Sequence, residues 1–154
     1  MAGMYAVYHG PRGLRYIADT VHRSAVSLAK KLEELGFEQL NSSYFDTLKV
    51  NANASAVKDL SEKNKINFYY PDADTVVISL NESTTVSDLN KIASIFSEIS
   101  GKKTAAIENL EESNAIPEEI KRKREFLTHE VFNSYHSETE MMRYIKKLER
   151  KDYP

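Results

Sequence analysis

Leu14, Ile17, Ala18, Val21, Ala25, Leu28, Leu32 and Leu35 recur at steps of three, four and seven residues, the spacing of one helical face. Pro11 suits the first turn of that helix, where its missing N–H would be unpaired in any case. Gly36 follows the basic Lys30 and Lys31 and the last leucine, and ends the run. The pattern predicts one long amphipathic helix over 11–35 with a single buried stripe. The period then shortens. Ser43–Val50 (SYFDTLKV) is aromatic and β-branched and predicts a strand. Ser55–Lys63 predicts a short helix with Val57 and Leu60 inward. Ile66–Tyr70 and Thr75–Leu80 predict two more strands, the latter with Val76, Ile78 and Leu80 on one face. The turn chemistry of Pro-Asp-Ala-Asp between them predicts a hairpin. Thr85 and Asp88 form a capping box ahead of a third helix with the stripe Val86, Leu89, Ile92, Phe96 and Ile99, closed by Gly101. This order predicts an α+β fold over 1–101: a small antiparallel sheet of about three strands with helices packed on one face.

After Gly101 the periodicity lapses. Residues 102–115 read as a linker, and Pro117 opens an expected short helix, PEEIKRKREF. Within it, Glu118 and Glu119 precede Arg122 and Lys123 by four residues, so the basic run reads as a solvated, ion-paired helical face. Ser137-Glu-Thr-Glu140 is a second capping box. Met141, Tyr144, Ile145 and Leu148 then form a stripe, with acids in the first turn and Lys146, Lys147, Arg150 and Lys151 in the last. Residues 102–154 thus read as a linker and a C-terminal helical extension.

Composition narrows the classes of function. The chain has 154 residues, 21 basic and 23 acidic side chains and a formal net charge of −2, which gives no electrostatic argument for nucleic acid or an anionic membrane. No apolar run approaches the ~20 residues of a membrane helix. The start lacks the basic region of a signal peptide. There is no cysteine, which removes disulfides, thiol nucleophiles and thiolate metal sites together.

The densest polar stretch is 128–140. Its candidate interface or substrate-entrance residues are His129, Asn133, Tyr135, His136 and Glu138. His-Ser-Glu at 136–138 has the H-x-E form of zinc deaminases, but that chemistry needs cysteine ligands. The spacing of His129 and His136 fits no helical metal motif, so no metal site is expected. Ser137 reads as a helix cap and not as a nucleophile. His9, in a Tyr-His-Gly-Pro turn, and His22, beside the long apolar stripe, read as packed or surface histidines. No phosphate loop or nucleophile–base set is present, so no catalytic residue is assigned.

Three stretches carry a resemblance: MAGMYAVYHGPRGL (1–14), INFYYPDADTVVISLNESTT (66–85) and FLTHEVFNSYHSETEMMRYIKKLERKD (126–152). Together they resemble the glycine dehydrogenase (decarboxylating) family, the P-protein of the glycine cleavage system. The resemblance implies a piece from the end of the N-terminal half of such an enzyme, like the small domain of type I aminotransferase-like pyridoxal phosphate enzymes. It implies a pyridoxal-phosphate-dependent decarboxylation of glycine, with the aminomethyl group passed to the lipoyl group of the H-protein and CO2 released. It also implies the remaining halves of the same enzyme as partners, and a bacterial cytoplasmic or mitochondrial matrix setting. The family's cofactor lysine lies in a His-Lys-Thr segment that this chain does not contain, so the chain alone is expected to be inactive and to hold no cofactor contact. Met1–Tyr8 resembles the tail of a longer buried helix, which predicts exposed apolar surface and self-association. The competing expectation is a free-standing interaction domain that binds a partner through 128–140.

Overall fold

The computed structural model describes residues 2–112 and 116–151. Met1, the end of the expected linker at 113–115 and Asp152 lie outside the described residues. The chain divides into two compact units, one of residues 19–121 and one of residues 1–18 with 122–154.

In the first unit the sheet is antiparallel and has four strands, in the order β1-β2-β4-β3. The strands are β1 (Glu38–Gln39), β2 (Thr47–Asn51), β3 (Tyr69–Asp72) and β4 (Thr75–Ser79). The expectation of about three strands missed β1, which is only two residues long and carries no alternation to read. Leu48 pairs with Ile78, and Val50 with Val76. All four are buried, so one face of the sheet is apolar, while Lys49 and Ser79 point to solvent. Against that face lie the buried leucines of α1 (Ala2–Glu34), with Val57 of α2 (Ala54–Lys63) and Leu89, Ile95 and Phe96 of α3 (Val86–Ser100). The expected α+β layering is therefore present.

Three expected boundaries move. The first strand starts at Thr47 instead of Ser43, because Ser43–Asp46 forms bends. The second runs from Tyr69 to Asp72 and includes Pro71, which is tolerated because β3 is a sheet edge and a register shift falls there. The hairpin turn is accordingly Ala73-Asp74. The caps stand where expected. Thr85 and Asp88 form the capping box of α3, and Gly101 closes it at φ 67°. At the end of α1, Gly36 N–H donates to Glu33 O and Phe37 N–H to Leu32 O, both at 2.9 Å. This is a Schellman closure, with Gly36 at φ 96°.

Residues 102–112 are irregular but strapped down. Asn90 exchanges two hydrogen bonds with the Ile107 backbone at 2.8 and 2.9 Å, and Ile107 is buried. Arg23 donates to the carbonyls of Leu110 and Glu111 at 2.8 and 3.0 Å. The Ser27 hydroxyl accepts from Glu111 N–H at 2.8 Å. Each strap uses a polar side chain of α1 or α3 to satisfy backbone that has no ladder of its own.

In the second unit α1 begins at Ala2, so the expected helical tail ending at Tyr8 and the helix expected from Pro11 form one element, broken at Gly10. Gly10 has φ 62° and ψ 179°, a region essentially only glycine reaches. Pro11 then opens the next turn as expected. The expected helix 117–126 is absent: residues 118–120 form a turn. Glu118 pairs with Lys121 at i,i+3, in place of the expected i,i+4 pairs. A ten-residue segment with no apolar stripe cannot offset the cost of helix nucleation. Residues Glu130–Asn133 form a short 3-10 turn and α4 spans Glu138–Glu149.

Candidate functional site

The 128–140 segment is built by local backbone capture. The Asn133 amide donates to the carbonyls of Leu127 and His129, both at 3.1 Å. This ties the two ends of the 3-10 turn together. Leu127, held by this clasp, adopts φ 53°. His129 caps the turn: its Nδ1 accepts from Val131 N–H at 3.2 Å. A ring nitrogen that accepts carries no proton, so neutral His129 bears its proton on Nε2.

Ser137 caps α4 as expected, its hydroxyl oxygen accepting from Glu140 N–H at 3.3 Å. The reciprocal arm differs. Glu140 Oε2 accepts from His136 N–H at 3.1 Å and from the Ser137 hydroxyl at 3.0 Å, so it reaches one residue beyond the usual partner of a capping box. Glu138 is exposed in the first turn of α4, where a carboxylate suits the helix dipole.

His136 turns back toward the start of the chain. Its Nδ1 lies 2.7 Å from the Tyr8 carbonyl oxygen. Tyr135 stacks on Tyr144 with ring centroids 4.4 Å apart and planes at 22°.

Three clefts border this segment. One of about 480 Å³ is lined by Arg12, Arg15, Glu125, Phe126, Thr128 and Asn133, among others. A second, of about 280 Å³, is lined by His129, Tyr135, Tyr144, Lys147 and Lys151, among others. The structure therefore separates the expected site residues. Asn133 lines the first cleft, His129 and Tyr135 the second, Glu138 a third of about 570 Å³ along α4, and His136 none of these three. The sequence reading missed Arg15 and Phe126, which meet as a guanidinium over a ring at 5.2 Å, with Arg122 over the same ring at 5.2 Å. Their separation along the chain left no local signal.

Among the described residues no group of three His, Asp or Glu side chains could hold a metal ion, and no helix is long and apolar enough to cross a membrane. Elsewhere the titrating groups are local. The Glu111 carboxylate beside Lys30 raises that ammonium's pKa. The Thr85 hydroxyl and amide lower the pKa of Asp88, and burial pushes the Tyr44 phenol up.

Covalent attachment of pyridoxal phosphate would require a desolvated lysine able to lose its proton. The lysines do not fit that requirement. Lys31 and Lys121 are half-buried and ion-paired with Glu34 and Glu118, and the others are exposed.

The sequence matches the family pattern described as glycine cleavage system P-protein over residues 1–96. It is 67% identical over 152 residues to a glycine dehydrogenase (decarboxylating) of Christiangramia forsetii, covering 99% of this chain and 16% of the relative. The corresponding protein of Flavobacterium johnsoniae is 56% identical over the same shares. The mitochondrial one of Pisum sativum is 43% identical over 99% of this chain and 15% of its own length. The chain thus spans about a sixth of the length of these relatives, and it belongs to the glycine cleavage system P-protein family.

Proposed function

We propose that this chain forms part of a pyridoxal-phosphate-dependent glycine decarboxylase, contributes the small α+β domain that closes one half of that enzyme, and is inactive alone. The observation that carries the proposal is the 67% identity, unbroken over nearly the whole chain, to a protein named for that activity. The cofactor would act as the electron sink for decarboxylation. The exposed or ion-paired state of the lysines here supports its attachment in another part of the enzyme. What these residues supply is shape: a rigid sheet-and-helix unit, and a capped polar segment at 128–140 that faces the rest of the enzyme or the lipoylated H-protein.

The test is reconstitution. The remaining portion of a homologous enzyme, expressed separately, is assayed for exchange of bicarbonate into glycine with H-protein, with and without this chain. Restored exchange in the mixture, with none from this chain alone, supports the proposal. Exchange by this chain alone, or no gain on mixing when the two are shown to bind, contradicts it. Binding to unrelated partners through 128–140, without effect on exchange, would favour a free-standing interaction domain.

Met4, Tyr5 and Tyr8 are exposed at 39%, 40% and 37% on the first segment of α1, which supports the self-association expected of an isolated chain. Light scattering over a dilution series is expected to show a concentration-dependent mass. A constant monomer mass with no binding of a hydrophobic dye would contradict this.

A further inference from the structure

The break in α1 and the ring of His136 fit one another. Gly10 turns the chain out of the helix at φ 62°, two residues after Tyr8. His136 Nδ1 lies 2.7 Å from the Tyr8 carbonyl oxygen beside this break. A Cβ on residue 10 would meet His136 Cε1 at 2.7 Å and Phe132 O at 2.7 Å. Glycine at 10 is therefore required twice, by its backbone angles and by the ring and turn that close on it. The ring is also fixed from its own backbone, since His136 N–H donates to Glu140 Oε2 at 3.1 Å.

We propose that His136 is the positioning residue of the 128–140 segment: seated in the notch at Gly10 with Nδ1–H committed to the Tyr8 carbonyl, it fixes the course of that segment and holds the neutral ring in the tautomer whose Nε2 is an acceptor. A carbonyl oxygen can only accept, so the proton of the neutral ring sits on Nδ1, the less common tautomer in water. His129 is the opposite case, with Nδ1 accepting from Val131 N–H. Two histidines seven positions apart therefore offer opposite faces: His129 an N–H donor, His136 an acceptor. An imidazole oriented through Nδ1 by a backbone carbonyl is the arrangement by which proteins ready the other nitrogen for proton acceptance or ligation.

The proposal concerns this chain's own hydrogen bonds and can fail while the glycine decarboxylase reading stands. The experiment is two-bond 15N–1H correlation of the imidazoles in the full chain, at a pH where both rings are neutral. It is combined with amide exchange of wild type, His136→Ala and His136→Asn. The expected spectrum shows His136 as the Nδ1–H tautomer and His129 as the Nε2–H tautomer. His136→Ala is expected to speed exchange at 130–136 roughly five-fold, the loss of one ordinary hydrogen bond. His136→Asn, whose amide can still donate to Tyr8, should restore most of that protection. The Nε2–H tautomer at His136 overturns the proposal. So does unchanged exchange in His136→Ala, or an Asn variant that behaves like Ala.

Discussion

The unit of residues 19–121 and the C-terminal helix of the other unit follow the same sequence grammar but meet different fates. α3 and α4 both start at a hydroxyl cap with an acid three residues on, and both carry an apolar stripe. In α3 that stripe is buried, with Phe96 and Leu89 at 0% exposure. In α4 no residue is buried: of its stripe, Ile145 and Leu148 are each 37% exposed and Met141 and Tyr144 are half-buried. Amphipathic patterning therefore specifies a helix and a face, but not that the face is covered within this chain. Tertiary packing supplies most helical stability, so α3 belongs to the cooperative core while α4 rests on its cap, its dipole, the Lys146–Glu149 pair and the stack of Tyr144 on Tyr135.

This contrast can be broken at its strong end first. Phe96→Ala, which empties a fully buried ring site, is expected to cost about 3–5 kcal/mol in denaturant unfolding. Leu148→Ala, on the α4 stripe and 37% exposed, should stay below about 1 kcal/mol. Similar losses at the two positions would mean that α4 is packed as tightly as α3.

The caps sharpen the comparison at intermediate size. Thr85→Ala is expected to lower the unfolding free energy of the core by roughly 1 kcal/mol. Ser137→Ala removes an equivalent bond, but should appear as lost helicity and faster amide exchange over 138–149, with the main unfolding midpoint unmoved. A shift of the main transition by Ser137→Ala would show that α4 unfolds together with the core.

The smallest effect is on pH. Asp88 is lowered by the Thr85 hydroxyl and amide, Asp72 by the Thr75 hydroxyl and the Asp74 amide, and Glu34 by Lys31 and Thr104. A carboxyl whose folded pKa lies below its unfolded value contributes stability that is complete above the unfolded value and is lost as pH falls through the folded one. All three lie within 19–121, so that unit is expected to lose stability as pH drops below the ordinary carboxylate range, about 4. Asp88→Asn should flatten part of that slope. An unchanged acid profile in Asp88→Asn would remove the capping carboxylate from the account.

Most of the fold could be read from periodicity and caps, because helices long enough to show a stripe and strands with a buried face announce themselves. What could not be read was short or non-local. β1 is held by pairing with Asn51 and Val50 and has no pattern of its own. The strap at 102–112 depends on Asn90, Arg23 and Ser27, each distant in sequence. The helix expected at 117–126 looked favourable in its charges, yet it had no apolar face to bury. In the candidate segment the Ser137 cap was legible, whereas the Gly10–His136 fit joins residues 126 positions apart. The Tyr-His-Gly-Pro turn around His9 marked the break in α1 without showing what occupies it.

The most direct test of the central claim is a pyridoxal phosphate titration of the purified chain, followed by borohydride reduction and peptide mapping. The account predicts no saturable, single-site label, since the lysines here are exposed or ion-paired. Stoichiometric labelling of one lysine would contradict it and place a cofactor site within this chain.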